Sequence, residues 1–202
     1  MATRLEVFNE ALRIIGEQTI TDPDVATKVG RALRAAFRPA SKKCLETGMW
    51  NFGQKRAPLA RSSTNPAFGY AYAFQKPGDV AKIVRLHDGP SEDAPLRRYS
   101  DETGKILADA ESVYLRWVSN DWIEDRIGDW SQAYADFVSS DLAFRVCEEL
   151  TSKSPYEKGI DKTRLKNMRE ALAFDAMSNP QAMRQQGSWA ARRSHRGRAE
   201  RA

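Results

Sequence analysis

The sequence predicts an α+β fold: a helical bundle with an inserted small antiparallel β-sheet lobe and an extended basic C-terminal arm. Three observations predict it. Apolar residues recur at three-to-four spacing towards both ends of the chain, and between about residues 54 and 118 that period gives way to alternation by twos. The last nineteen residues, Arg184 to Ala202, hold six arginines and one acid, Glu200. They carry +5, which is the net charge of the whole 202-residue chain. The residues before them hold 26 bases and 26 acids and sum to zero. The expected organisation is a helical body over 1–53 and 119–180, a β lobe over 54–118 and a flexible basic arm over 181–202.

The first helix is expected over 3–17. Leu5, Phe8, Leu12 and Ile15 share one face, Thr3 is the N-cap with Glu6 three residues on, and Gly16 marks the end. A second helix should open at Thr21-Asp22-Pro23, since a capping side chain followed by proline favours a helix start. Val25, Val29, Leu33, Ala36 and Phe37 form its stripe. Pro39 should kink it before it resumes through Cys44, Leu45 and Met49. Its other face carries Lys28, Arg31, Arg34, Arg38, Lys42 and Lys43. That face reads as a solvated or subunit-facing surface, with nucleic-acid contact as the alternative.

Strand-like text follows from Gln54 to Trp117. Tyr70, Tyr72 and Phe74 alternate with alanines. Pro77-Gly78-Asp79 is a turn. Val80–Leu86 is β-branched, Asp88–Pro95 a polar loop, and Leu96–Tyr99 a short strand. Asp101-Glu102-Thr103-Gly104 then turns into Lys105–Leu107, and Val113–Val118 alternates again. One antiparallel sheet of four or five strands is the expectation. Helical periodicity then returns. A short helix is expected over Asn120–Gly128. A longer one is capped by Ser131 and runs through Thr151, with Tyr134, Phe137, Val138, Leu142, Val146 and Leu150 on one face. Pro155 opens the last, with Ile160, Leu165, Met168, Leu172 and Met177 inward, and Asn179-Pro180 stops it. The remainder is too poor in apolar residues to fold alone.

Composition excludes several classes. No stretch approaches the roughly 20 apolar residues that cross a bilayer, so no membrane is expected as partner. The first residues, amphipathic with acids, read as neither signal nor transit peptide. Two cysteines, Cys44 and Cys147, make neither a disulfide framework nor a zinc site. They read as packed, reduced thiols, or alternatively as an intersubunit crosslink.

Catalysis needs convergent groups of suitable pKa held rigidly. The chain has two histidines. His87 ends a predicted strand, and His195 lies in the arm. Asp121, Glu124, Asp125 and Asp129 cluster within nine residues. Asp121 and Asp125 at i, i+4 suit a divalent cation, but acids at a helix start equally answer the helix dipole. Gly159-Ile-Asp-Lys-Thr lacks the second glycine and the preceding strand of a phosphate loop. Neither an enzyme, a metal nor a cofactor is expected. The arm combines Trp189 with Arg192, Arg193, His195, Arg196 and Arg198. Such a segment neutralises phosphates without reading sequence. A tryptophan among arginines suits a protein pocket as well.

The junction between the second helix and the strands carries a resemblance. Ala11-Leu12, Ile15-Gly16 and Ile20 precede Trp50-Asn51-Phe52-Gly53 and Leu59-Ala60. The aromatic stretch Tyr70–Phe74, the turn Lys76-Pro77-Gly78-Asp79, the hairpin within Leu96–Leu107, the strand Val113–Val118 and the helix Ala171–Ala176 follow in order. This series, spanning about residues 5–195, resembles the head-to-tail adaptor (connector) proteins of tailed bacteriophages, the group that includes tail tubular protein A. Gly53 departs from the commoner alanine. The resemblance implies a structural virion protein in the neck, assembled in the host cytoplasm as a homo-oligomeric ring of twelve. It implies a ring joined to the portal protein by the C-terminal arm and to a downstream tail protein by the β lobe, with genomic DNA passing through the channel. It also implies that Trp50, Asn51 and Phe52 form the hinge between body and lobe. Arg31, Arg34, Arg38 and Lys42 are then subunit-interface candidates. The rival reading is a non-catalytic nucleic-acid-binding protein, a packaging accessory using the arm on DNA.

Overall fold

A computed structural model describes residues 2–91 and 95–178. The fold is α+β, with four α-helices and two small antiparallel sheets among the described residues. The elements are α1 (Arg4–Ile15), α2 (Lys28–Thr47), β1 (Gln54–Pro58), β2 (Tyr72–Gln75), β3 (Val80–His87), β4 (Tyr99–Glu102), β5 (Lys105–Ala108), β6 (Tyr114–Ser119), α3 (Gln132–Thr151) and α4 (Ile160–Ser178).

Helix α1 forms as its sequence dictates. The Thr3 hydroxyl accepts from the Glu6 N–H at 3.2 Å while the Glu6 carboxylate accepts from the Thr3 N–H at 2.8 Å, and Gly16 caps the other end. Helix α2 starts later than expected, at Lys28, with Thr27 as N-cap. Thr21-Asp22-Pro23 is instead a loop, for two physical reasons. The Asp22 carboxylate accepts from the Asp24 N–H at 2.9 Å, and Arg34 donates to the carbonyls of Pro23 and Val25 at 3.0 and 2.9 Å. Asn9 clamps the same loop, donating to the Ile20 carbonyl and accepting from its N–H. Pro39 lies inside α2, which continues to Thr47.

The strands form two three-stranded sheets rather than one sheet of four or five. Their orders are β1-β6-β3 and β2-β5-β4. Short strands with one greasy face each bury it best by stacking two sheets. Leu59, Leu86, Leu115 and Trp117 share one core with Phe74, Ile106 and Ala108. The expected strand Leu96–Tyr99 is displaced to Tyr99–Glu102. Pro95 bridges to His87 and the Leu96 N–H donates to the Leu86 carbonyl, so this stretch crosses from one sheet to the other. Strand β2 takes in Tyr72 and Phe74 but not Tyr70. Thr103 and Gly104, both at positive φ (46° and 74°), close the β4–β5 hairpin as a two-residue turn.

Strand β6 shows the period of two at work. Leu115 and Trp117 enter the sheet core, while Val118 enters the helical core. After it, the expected helix over Asn120–Gly128 is two 3₁₀ turns, Asn120–Trp122 and Ile127–Asp129. The Ser119 hydroxyl caps the first, and Trp130 Nε1 donates to the Trp122 carbonyl at 3.0 Å. Helix α3 is capped by Ser131 as expected and packs against α1, α2 and α4. Helix α4 begins at Ile160, not at Pro155, because Gly159 sits at φ 68° and breaks the helical run before it. Its inward residues are Ile160 and Ala171, with Met168 and Leu172 half-buried. Leu165 and Met177, expected inward, are exposed at 40% and 74%.

Candidate hinge and charged helix face

The chain leaves α2 through Gly48 and Met49 and reaches β1 through a 3₁₀ turn, Asn51–Gly53. Trp50 is 1% exposed, and its Nε1 donates to the Cys44 carbonyl at 3.0 Å. Its ring meets Tyr134 edge-on at 4.8 Å, and Phe52 meets the same Tyr134 at 4.9 Å. Tyr134 also meets Trp130 at 5.0 Å, Trp130 lies 6.3 Å from Phe37, and Phe37 lies 5.4 Å from Phe8. An unbroken aromatic ladder therefore runs from α1 to the start of β1. Edge-on pairs of this kind each contribute about 0.5–1.5 kcal/mol beyond their burial.

Asn51 is held from the far end of the sequence. Its backbone N–H donates to Asp175 Oδ1 at 2.8 Å, and its amide Nδ2 donates to the Asp175 carbonyl at 2.8 Å and to Oδ2 at 3.1 Å. Burial pushes the Asp175 carboxyl above its ordinary value, opposed by the Asn51 N–H.

On the strand side, Lys55 of β1 donates to Asp79 at 2.8 Å and to Asp121 at 2.6 Å. The Ser119 hydroxyl donates to Asp79 at 2.9 Å, and the Asn120 N–H donates to the Asp79 carbonyl at 2.7 Å. Burial works to raise the Asp79 carboxyl, but the hydrogen bonds from Lys55 and Ser119 together with the Lys55 charge outweigh it and hold it low. The Asp121 and Asp79 hydrogen bonds raise the Lys55 ammonium. Lys82 of β3 donates to the Thr47 carbonyl at the end of α2. The segment that leaves the helices is thus fastened to both cores.

Most of the α2 cations have partners in their own chain. Arg31 donates to the Ala26 carbonyl at 3.2 Å, Arg38 pairs with Glu124 at 3.2 Å, and Lys42 lies 3.8 Å from Glu46. Arg34 is spent on the 23–25 loop, and Lys28 on the Glu149 carbonyl at 2.9 Å. Lys43 lies 3.5 Å from Asp141, a carboxylate of α3 that is 1% exposed and is also bound by Arg145 at 2.7 Å and Arg164 at 3.1 Å. Three helices meet on that one charge.

No protein-family model matches the chain, and a search of curated proteins finds no match.

Among the expected site residues, the structure brings Trp50, Asn51 and Phe52 together with Tyr134 and Asp175. It sets Arg34 apart as a loop brace. Cys44 and Cys147 are free and buried, so neither presents the surface thiol that a crosslink to a neighbour requires. Asp121 of the acidic cluster is taken up by Lys55. His87 is buried at the end of β3 and lines, with Arg56, Tyr114 and Arg116, a pocket of about 180 Å³. Trp189, Arg192, Arg193, His195, Arg196 and Arg198 lie outside the described residues.

Sequence reasoning missed Asp141, Asp175 and the Lys55–Asp79–Asp121 group. A signal existed for Asp141. It sits between Val138 and Leu142 in the apolar register of α3, and a carboxylate there must find cations. Asp175 gave none, since its partner Asn51 is 124 positions away.

Proposed function

We propose that the protein is a structural virion component, a head-to-tail adaptor whose subunits form a ring between portal and tail and extend the DNA channel. The observation that carries this reading is the junction at Trp50-Asn51-Phe52. A platform that transmits load between two assemblies needs a fixed angle between the part that forms the ring and the part that projects from it. Here the three residues at the crossing are locked to α3 by aromatic contacts and to α4 by three hydrogen bonds. The near-neutral chain before Arg184 allows copies to approach closely, and the basic arm carries the charge for an acidic portal surface.

Electron microscopy of the full chain mixed with its cognate portal tests the proposal. A ring cap on the portal is expected, and deletion of Gly187–Ala202 should abolish attachment while the remaining chain stays folded. Trp50→Ala should leave rings malformed or absent. The charge of the arm also favours the rival, a DNA-binding packaging accessory. Tight, salt-sensitive DNA binding that is lost with Arg184–Ala202, in a chain that never engages a portal, would establish that rival instead.

A further inference from the structure

One face of the β1-β6-β3 sheet gathers positive charge. Arg56, Arg116 and Arg85 stand opposite one another in register across the three strands. Directly opposite residues share a face of a sheet, so the three arginines lie on the same side. Their neighbours Ala57, Leu115 and Leu86 turn the other way, into the sheet core. Like charges directly opposite destabilise a sheet, and an anion set against them turns that repulsion into attraction. Arg116 is also held in place, because its Nε donates to Gln54 Oε1.

Two residues further along, Tyr114 and His87 stand opposite each other on that face. The loop after β3 returns to bridge Pro95 to His87. Gly89 and Pro90 of the same loop, with Arg56, Arg116, Tyr114 and His87, line the pocket of about 180 Å³. His87 is 5% exposed, and both its ring nitrogens are buried without a hydrogen-bond partner among the described residues. An imidazole carries an N–H in either protonation state. A buried N–H left unpaired is costly, so this one calls for an acceptor within the pocket. Among the described residues, no acid lines the pocket.

We infer that this pocket binds a single phosphate group between Arg56, Arg116 and His87. The donors come from three different strands and converge on one small space. A carboxylate is planar and is satisfied by one guanidinium fork, whereas a phosphate presents acceptor oxygens on several sides. The volume lies below the roughly 300 Å³ at which pockets take drug-sized ligands, so it suits the phosphate group itself rather than a whole nucleotide. The two guanidiniums supply charge and bidentate geometry, and the His87 N–H fixes a further oxygen from the buried side. The site does not rest on the adaptor reading, and it is separate from the basic arm.

Nuclear magnetic resonance of the full chain, labelled at histidine and titrated with inorganic phosphate at constant ionic strength, tests the site. The chain has two histidines, and the His87 ring signals are those lost in His87→Gln. They should shift along a saturable curve with phosphate and stay still with chloride. Arg56→Gln, an exposed position on an edge strand that the fold tolerates, should weaken this binding about tenfold or more, since it removes hydrogen bonds to a charged group. Arg13→Gln, on α1, should leave it unchanged. A short DNA duplex forms the second arm. If it moves the same signals and competes with phosphate, the group bound is a backbone phosphodiester; if only phosphate does so, it is a free phosphate or a monoester. Either result upholds the site. The absence of a saturable shift with both ligands, a shift that chloride reproduces, or binding untouched by Arg56→Gln would overturn it. So would phosphate binding that emerges only in Glu92→Gln with Asp93→Asn, because the donors would then belong to the chain's own acids.

Discussion

The two ends of α4 are fastened in different ways. Near its start, Arg164 reaches Asp141, a carboxylate almost without exposure that Lys43 and Arg145 also hold. Near its end, Asp175 is held by the amide and the backbone of Asn51. The first fastening is ionic and joins α2, α3 and α4 inside the helical core. The second joins α4 to the crossing into β1. The difference teaches where rigidity and adjustability lie. A buried charge that meets three cations leaves no room for an alternative arrangement, whereas a half-buried carboxylate bound by an amide changes its preference with its protonation state.

Breaking the ionic end should have the largest effect. Asp141→Ala removes one acid and leaves Lys43, Arg145 and Arg164 without it, two of them largely buried side chains. Removing one partner from such a group costs about 3–5 kcal/mol. Urea denaturation should show a midpoint far below wild type, with Asp141→Asn nearly as low because the charge is lost there too. A loss under about 1 kcal/mol would mean that apolar packing alone holds these helices together.

The crossing itself is sharpened by Gly48→Ala. The backbone at Gly48 is extended (φ −111°), so an alanine is not strained there by its own geometry. Its Cβ would nevertheless lie 2.5 Å from the Trp50 ring, and Trp50 is enclosed on its other sides. Overpacking of this kind costs about 1–3 kcal/mol. Tryptophan fluorescence and thermal melting should report a shifted Trp50 and a lower Tm.

Asp175→Ala should cost about 1–3 kcal/mol at neutral pH, since the Asn51 donors lose their acceptor. Its pH dependence reports the burial of the Asp175 carboxyl. The folded value of Asp175 is raised above 3.8, so the native state holds the proton more tightly than the unfolded chain. Stability contributed by this group is present at low pH and declines as pH rises from 3.8 through the folded value. Wild type minus Asp175→Asn should therefore fall across that window, and a flat difference would mean that burial does not perturb this carboxyl.

The contrast between the two ends also marks what the sequence makes legible. Periodicity located α1 and α3 with their caps, because capping boxes and apolar stripes are local. It misplaced the start of α2, because the competing loop depends on Arg34 and Asn9 reaching back from helices. It merged two sheets into one, since pairing partners such as β1 and β6 are separated by about 60 residues and alternation says nothing of register. It turned Leu165 and Met177 inward, because an apolar residue at helical spacing reads as core whether or not another element covers it. Of the site, Trp50-Asn51-Phe52 was legible as a junction, and its fastening to Asp175 was not.

The smallest expected effect lies at the strand side of the crossing. Lys55 bridges Asp79 and Asp121, and its side chain is 38% exposed against 27% and 43% for the acids. Water screens such a group, so Asp79→Asn should cost about 1 kcal/mol at neutral pH. Its sign with pH is opposite to that of Asp175. The folded value of Asp79 is held below 3.8, so the native state binds this proton less tightly than the unfolded chain. The stability it contributes is present above 3.8 and disappears as pH falls through the folded value. Wild type and Asp79→Asn should thus differ at neutral pH and converge in acid, while wild type and Asp175→Asn move the other way. If both pairs shifted in the same direction, the two carboxyls would share one environment, and the division of the crossing into an ionic strand side and an amide-held helix side would not stand.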